Sequence, residues 1–163
     1  MFGLIRNTII ALVLAFNAGS ILAQDFQKGV AAYQSGDYVT ALQEWRPLAE
    51  QGDAAAQTII GSMYDNGTGV LQDYAEAVKW YRLAAEQGIA LAKNNIGILY
   101  EYGRGVLQDN VRAHMWYNIA AANGYKKSGE WRDKIAGLMT SADISKAQSM
   151  AKECMSSKYK NCG

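Results

Sequence analysis

The chain reads as an all-α solenoid of antiparallel helix pairs, and three observations predict it. One segment occurs twice in tandem, the copies align without a gap, and each half of a copy spaces its apolar residues as a helix does. A fixed period of 20–50 residues marks an array in which each unit buries its apolar face only against its neighbours.

The two copies are Ala54–Ile89 and Ala90–Tyr125. Setting one over the other brings Gly61 onto Gly97, Tyr64 onto Tyr100, and the Gly67–Asp73 loop onto Gly103–Asp109. Ala77, Trp80-Tyr81, Ala84-Ala85 and Gly88 then meet Ala113, Trp116-Tyr117, Ala120-Ala121 and Gly124. Within a copy, Ala56, Ile60 and Tyr64 recur at i, i+4 and i+8 and give a first helix one apolar stripe. Gly61 has no side chain where a partner helix would collide, which offsets its cost of ~1 kcal/mol inside a helix. Asn66-Gly67-Thr68-Gly69 breaks that helix. Asp73 is placed to cap the second helix, whose Ala77, Tyr81 and Ala84 face inward, and Gly88 is placed to end it.

These residues resemble the Sel-one-like repeat (SLR), a branch of the tetratricopeptide superfamily. The shared pattern is A-x-x-x-I-G-x-x-Y-x-x-G-x-G-V-x-Q-D-x-x-x-A-x-x-W-Y-x-x-A-A-x-x-G. The resemblance implies a right-handed superhelix that binds proteins or peptides, usually without catalysis or a cofactor.

Upstream, Phe26–Gly52 is a shortened first unit. Its Asp37-Tyr38, Ala41, Trp45, Ala49 and Gly52 align with Asp73-Tyr74, Ala77, Tyr81, Ala85 and Gly88, and its loop is five residues tighter. Pro47, the only proline, falls in its second helix, where it removes a backbone donor and favours a kink. Residues 1–23 read as a secretory leader: Arg6 is their only charge, Thr8–Phe16 is a short apolar run, and Ala18-Gly19-Ser20 and Ala23 precede a cut after Ala23. The apolar run is shorter than the ~20 residues a membrane span needs. Export is expected, most simply to a bacterial periplasm, with no stable membrane insertion after cleavage. The domain is then 24–163.

The whole chain carries 16 Lys+Arg against 15 Asp+Glu, and losing Arg6 leaves 15 against 15. That balance argues against nucleic-acid binding through phosphate neutralisation.

Downstream the period fades into a capping helix pair over 126–156 and a tail. Trp131, Ile135 and Leu138 mark one helix. Ile144, Ala147, Met150 and Ala151 mark the next, with Thr140 or Ser141 as its N-cap. Cys154 and Cys162 read as a disulfide in an exported chain. Unbroken helix would hold their Cα atoms ~12 Å apart, beyond bridging range, so the chain must turn back, with Ser156-Ser157 the natural place.

Few residues point to chemistry. His114 is the only histidine and reads as a surface or half-buried side chain, which leaves no multi-histidine metal site. Ser149–Lys152 and Ser157–Lys160 fit S-x-x-K, but the S-D-N and K-T-G partners of penicillin-recognising enzymes do not occur. Gly67-Thr68-Gly69 and Gly103-Arg104-Gly105 follow helices and lack the further glycine and lysine of nucleotide loops. No catalytic residue, cofactor or metal is expected. Trp80, Tyr81, Trp116 and Tyr117 sit at repeat-core spacing and read as packing rather than a stacking platform, although only one of two adjacent aromatics can point fully inward.

The expected ligand surface is the concave face lined by first helices. Its candidate residues are Thr58, Ser62 and Asp65, then Asn94, Ile98, Glu101 and Tyr102, with Gln27, Ala31 and Gln34 from the short unit. This makes a polar, mildly acidic groove for a protein or peptide of the cell envelope. The competing reading is a muropeptide-binding or β-lactamase-like hydrolase related to cysteine-rich SLR proteins.

Overall fold

The computed structural model describes residues 25–160 and Cys162. The expected leader lies outside the described residues. Among the described residues there are eight helices and no strand. The first, α1, runs over 25–34. Then follow α2 (Tyr38–Glu50), α3 (Ala54–Asn66), α4 (Tyr74–Glu86), α5 (Ala90–Tyr102), α6 (Asn110–Ala122), α7 (Lys127–Ala136) and α8 (Ser141–Ser156). Each helix packs on its successor from α2 to α7, and α8 returns to lie on α6. The result is the all-α repeat solenoid that the tandem units predict.

Helix starts are fixed by side-chain caps. Asp37, Asp53, Asp73 and Asp109 accept hydrogen bonds from backbone N–H groups in the first turns of α2, α3, α4 and α6. Thr140, rather than Ser141, does so for α8. Such a cap is worth ~1 kcal/mol. α5 departs from the pattern: its N-cap is Ile89, which has no side-chain bond to offer. Pro47 lies inside α2, which is helical through to Glu50.

The core repeats a single wedge. A Cβ on Gly61 would stand 2.6 Å from the Tyr81 ring, and one on Gly97 would stand 2.7 Å from the Tyr117 ring. In the short unit Gly29 meets Trp45 in the same way. The aromatic of each second helix therefore fills the notch left by glycine on its first helix. Tyr81 and Tyr117 are buried, and so are Ala56, Ile60, Ala77, Ala92, Ile96 and Ala113 around them. Trp116 is buried as well, whereas Trp80 is half-buried against the first unit's core.

A second wedge joins units. Gly69 and Gly105 have φ of +71° and +67°, and a Cβ on Gly105 would lie 2.5 Å from the Tyr74 carbonyl carbon. Each loop thus lies against the first turn of the preceding unit's second helix, an approach that only glycine permits. Gln72 and Gln108 lock the loops by donating to the carbonyls of Asp65 and Glu101 at 2.7 and 2.9 Å. Between units, Arg46 donates to the Tyr64 hydroxyl at 2.7 Å, and Arg82 repeats the contact with Tyr100 at 2.9 Å.

α7 and α8 close the array. Ile135, Ala147 and Ala151 are buried, while Leu138 is 77 % exposed, since α7 ends at Ala136 and carries Leu138 into the turn. Cys154 and Cys162 form a disulfide with Cα atoms 4.9 Å apart. The chain turns back after Ser156, with Lys158 and Tyr159 at φ of +54° and +65°.

Candidate functional site

Side-chain register on α1, α3 and α5 decides which residues meet a ligand. One open groove of about 490 Å³ crosses these helices. Val30, Tyr33 and Gln34 line it from α1; Thr58, Ile59, Ser62 and Met63 from α3; Leu91 and Asn95 from α5; Trp45 forms part of its floor. Its character is apolar, with amide and hydroxyl groups at intervals, and this corrects the expectation of a mildly acidic surface. Tyr33 packs against both Trp45 and Tyr38 with ring centroids 5.7 and 5.0 Å away.

The expected residues fall into two groups. Ser62 lines the groove, Ile98 is half-buried one unit further along, and Tyr102 is 54 % exposed at the end of α5. Thr58 touches the groove but is buried, and its hydroxyl donates to the Ala54 carbonyl at 2.7 Å. Asn94 is buried and accepts from the Ser128 hydroxyl at 2.7 Å, so it faces α7 rather than solvent. Asp65 and Glu101 are half-buried and turn toward the tyrosine wedges. The Tyr117 hydroxyl donates to Glu101 at 2.6 Å, and Tyr81 approaches Asp65 at 3.4 Å.

Electrostatics follow from that placement. Burial raises the Asp65 carboxyl above the usual range, with Arg104 and the Tyr81 hydroxyl pulling the other way. Burial, then the nearby carboxylate, raises the Tyr81 and Tyr117 hydroxyls, which stay protonated as donors. Asp65 and Glu101 therefore orient the wedge aromatics and are not free groove charges.

The register is shifted by one residue, about 100° around the helix. Val30 and Tyr33 on α1, Ile59 and Met63 on α3, Leu91 and Asn95 on α5, and Trp45 beneath them are the groove residues that the sequence reading missed. The i, i+4, i+8 spacing makes Tyr64 an inward marker, but it is only half-buried. The buried stripe of α3 is Ala56, Ile60 and Met63, joined by Gln57 and Thr58 because neighbouring helices cover the first helix on more than one side. Reading Ile60 with Met63 as the stripe turns Ile59 onto the groove beside Ser62, which the sequence already places there, while Met63 borders its floor.

The remaining candidates separate cleanly. His114 is buried, not at the surface, and its Nδ1 has no hydrogen-bond partner. Burial, reinforced by Arg132, lowers its pKa and favours neutral imidazole. Ser149 and Lys152 are exposed on α8, away from the groove residues. Among the described residues no three His, Cys, Asp or Glu side chains are grouped to hold a metal ion, and no helix is long and apolar enough to cross a membrane.

Comparison with known proteins places this architecture. The Sel1 repeat profile matches residues 54–89 and 90–125. A Sel1 repeat protein from Oxalobacter formigenes superposes with a TM-score of 0.63 at 34 % identity, over 76 % of this chain and 97 % of that one. A protective antigen present in uropathogenic Escherichia coli strains, displaying an SLR fold, gives a TM-score of 0.78 at 26 % identity over 85 % of this chain. The match spans only 31 % of that longer protein. No curated protein matches.

Proposed function

Because the chain belongs to the Sel1 repeat family, whose fold usually serves as a protein-interaction module, we propose that it binds an extended peptide segment of a cell-envelope protein. The observation that carries this reading is the open apolar groove across α1, α3 and α5. Ile59, Leu91 and Met63 offer apolar contact, and Gln34, Ser62 and Asn95 offer hydrogen-bonding groups spaced along its length. Binding by burial of apolar side chains with a few polar anchors is the ordinary design of such a cleft. No bond-making step is assigned to it, so the proposed role is non-catalytic. The tail disulfide fits an oxidising compartment, and export through cleavage after Ala23 belongs to the same proposal.

Site-specific cross-linking tests this. A photo-reactive phenylalanine analogue at Ile59 or Asn95 is expected to give discrete adducts in intact cells, and the same analogue at exposed Leu83 on α4 is not. Leu91→Asp should weaken affinity for the captured peptide at least tenfold while leaving the helical spectrum unchanged. Equal adducts from α4 and the groove would place the binding surface elsewhere. Turnover of a chromogenic β-lactam would replace the interaction reading with a hydrolase.

A further inference from the structure

The tail and the last full repeat meet at a lysine that the groove does not use. Lys93 on α5 is fully buried. No carboxylate is among the partners described for its amine: Nζ donates to the Asn123 side-chain oxygen and stands 3.1 Å from the centre of the Tyr159 ring. The equivalent position in the preceding unit is Gln57, which donates to the Ala49 carbonyl and accepts from Gln87. A cation thus occupies a seam that an amide fills elsewhere, and an aromatic face from the C-terminal tail covers it. Cation and ring attract most when water is excluded.

What holds Tyr159 there is local and covalent. Residues 157–160 form backbone hydrogen bonds to Glu153, Cys154, Met155 and Ser157, all at the end of α8 or within the turn itself. Lys158 and Tyr159 both adopt the left-handed region that L side chains rarely occupy. Such a turn persists when its surroundings over-determine it. Here those surroundings are the buried Cys162, bridged to Cys154, and the Tyr159 ring on Lys93.

We propose that the Cys154–Cys162 bridge is a redox-operated latch that keeps Tyr159 over Lys93, and that its reduction by a dithiol releases the tail and opens the Lys93 amine to solvent and to amine-directed modification. In that reduction a dithiol thiolate attacks one bridge sulfur to give a mixed disulfide. The second thiol of the reagent then displaces the protein sulfur. Two electrons and two protons pass to Cys154 and Cys162, and the reagent leaves as its own disulfide. The gain in reactivity is one of access: burial holds the amine down to about 8 while covered, and uncovering relieves that desolvation but lets the reagent reach the nitrogen.

The test is residue-resolved acetylation of the purified exported chain by N-hydroxysuccinimidyl acetate at pH 8, before and after dithiothreitol with thiols then alkylated. In the oxidised protein Lys93 should react at least tenfold more slowly than exposed Lys152 and Lys158. Reduction should raise its rate at least tenfold with helix content unchanged. Tyr159→Ala, with the bridge intact, should give the same rise. The latch is overturned by equal Lys93 labelling in both redox states once two thiols are titrated, or by loss of helix on reduction. Persistent protection of Lys93 in Tyr159→Ala would equally overturn it.

Discussion

Two glycines within helices give opposite predictions for the same substitution. Gly97→Ala and Gly129→Ala both gain helix propensity, about 1 kcal/mol in an exposed interior. At Gly129 the nearest atom to a new Cβ is the Ala121 Cβ at 4.0 Å, ordinary contact, so the gain survives. At Gly97 the new Cβ would stand 2.7 Å from two carbons of the Tyr117 ring. That ring cannot step aside, because it is fully buried and its hydroxyl is tied to Glu101 at 2.6 Å. Overpacking of this kind costs ~1–3 kcal/mol, and lengthening the hydrogen bond to Glu101 adds a fraction of that bond's worth, about 1 kcal/mol. Net, Gly97→Ala should destabilise by about 1–3 kcal/mol, and Gly129→Ala should stabilise by roughly 0.5–1 kcal/mol. For a domain of this size those changes lower Tm by about 3–9 °C and raise it by about 2–3 °C respectively. Thermal and urea unfolding of both variants beside the parent decide the matter. A Gly97→Ala protein that melts higher than the parent would refute the wedge as the organising contact of the repeat.

Tyr100→Ala should cost roughly 3–5 kcal/mol by urea titration, because it empties a buried aromatic site and strips Arg82 of its hydroxyl acceptor. Replacing both Cys154 and Cys162 by serine should lower stability by up to ~3 kcal/mol while partner affinity in the groove stays within twofold, read by melting and by titration of the captured peptide. Lys93 gives a pH dependence. Burial brings its amine down to about 8 from 10.5, so the native state holds that proton less tightly than the unfolded chain does. Stability should therefore rise with pH between about 8 and 10.5, and the penalty is fully present below pH 8. Lys93→Met should be the more stable protein at pH 7, and its advantage over the parent should shrink toward pH 10.5.

The repeat was legible because its physics is written into small residues at fixed spacing. Gly61 and Gly97 mark where a tyrosine ring enters, and Asp73 and Asp109 mark where a helix begins. The disulfide was legible from spacing and turn chemistry, with Cys154 near the end of α8 and Ser157 capping it. The groove was less so. A helix covered on several sides has a buried arc too wide for one stripe to define, so Thr58 and Asn94 looked exposed although both are buried. Nor could local pattern separate Leu138 from Ile135: both fit the same helical spacing, and only the end of α7 at Ala136 sends Leu138 into solvent. His114 failed for the same reason as Asn94, since α7 and α8 cover α6 from a part of the chain that lacks the repeat.

Departures from repeat symmetry then become the informative signal. Thr58, Gln57 and Gln87 of the first full unit become Asn94, Lys93 and Asn123 in the second. All three changes fall near where the array stops and its neighbours change. Thr58 satisfies its hydroxyl on its own helix, whereas Asn94 reaches across to Ser128 on α7. Gln57 both donates and accepts at its seam, whereas Lys93 can only donate, to Asn123 and to the face of the Tyr159 ring. A unit stacked on this face would have to displace α7 and the bridged tail, which would take Ser128 from Asn94 and the Tyr159 ring from Lys93. The end of the array is thus specified by polar side chains that suit the cap and do not suit another repeat. A terminal unit must close its outward face, and in this chain Asn94 and Lys93 do so with partners from the cap and the tail.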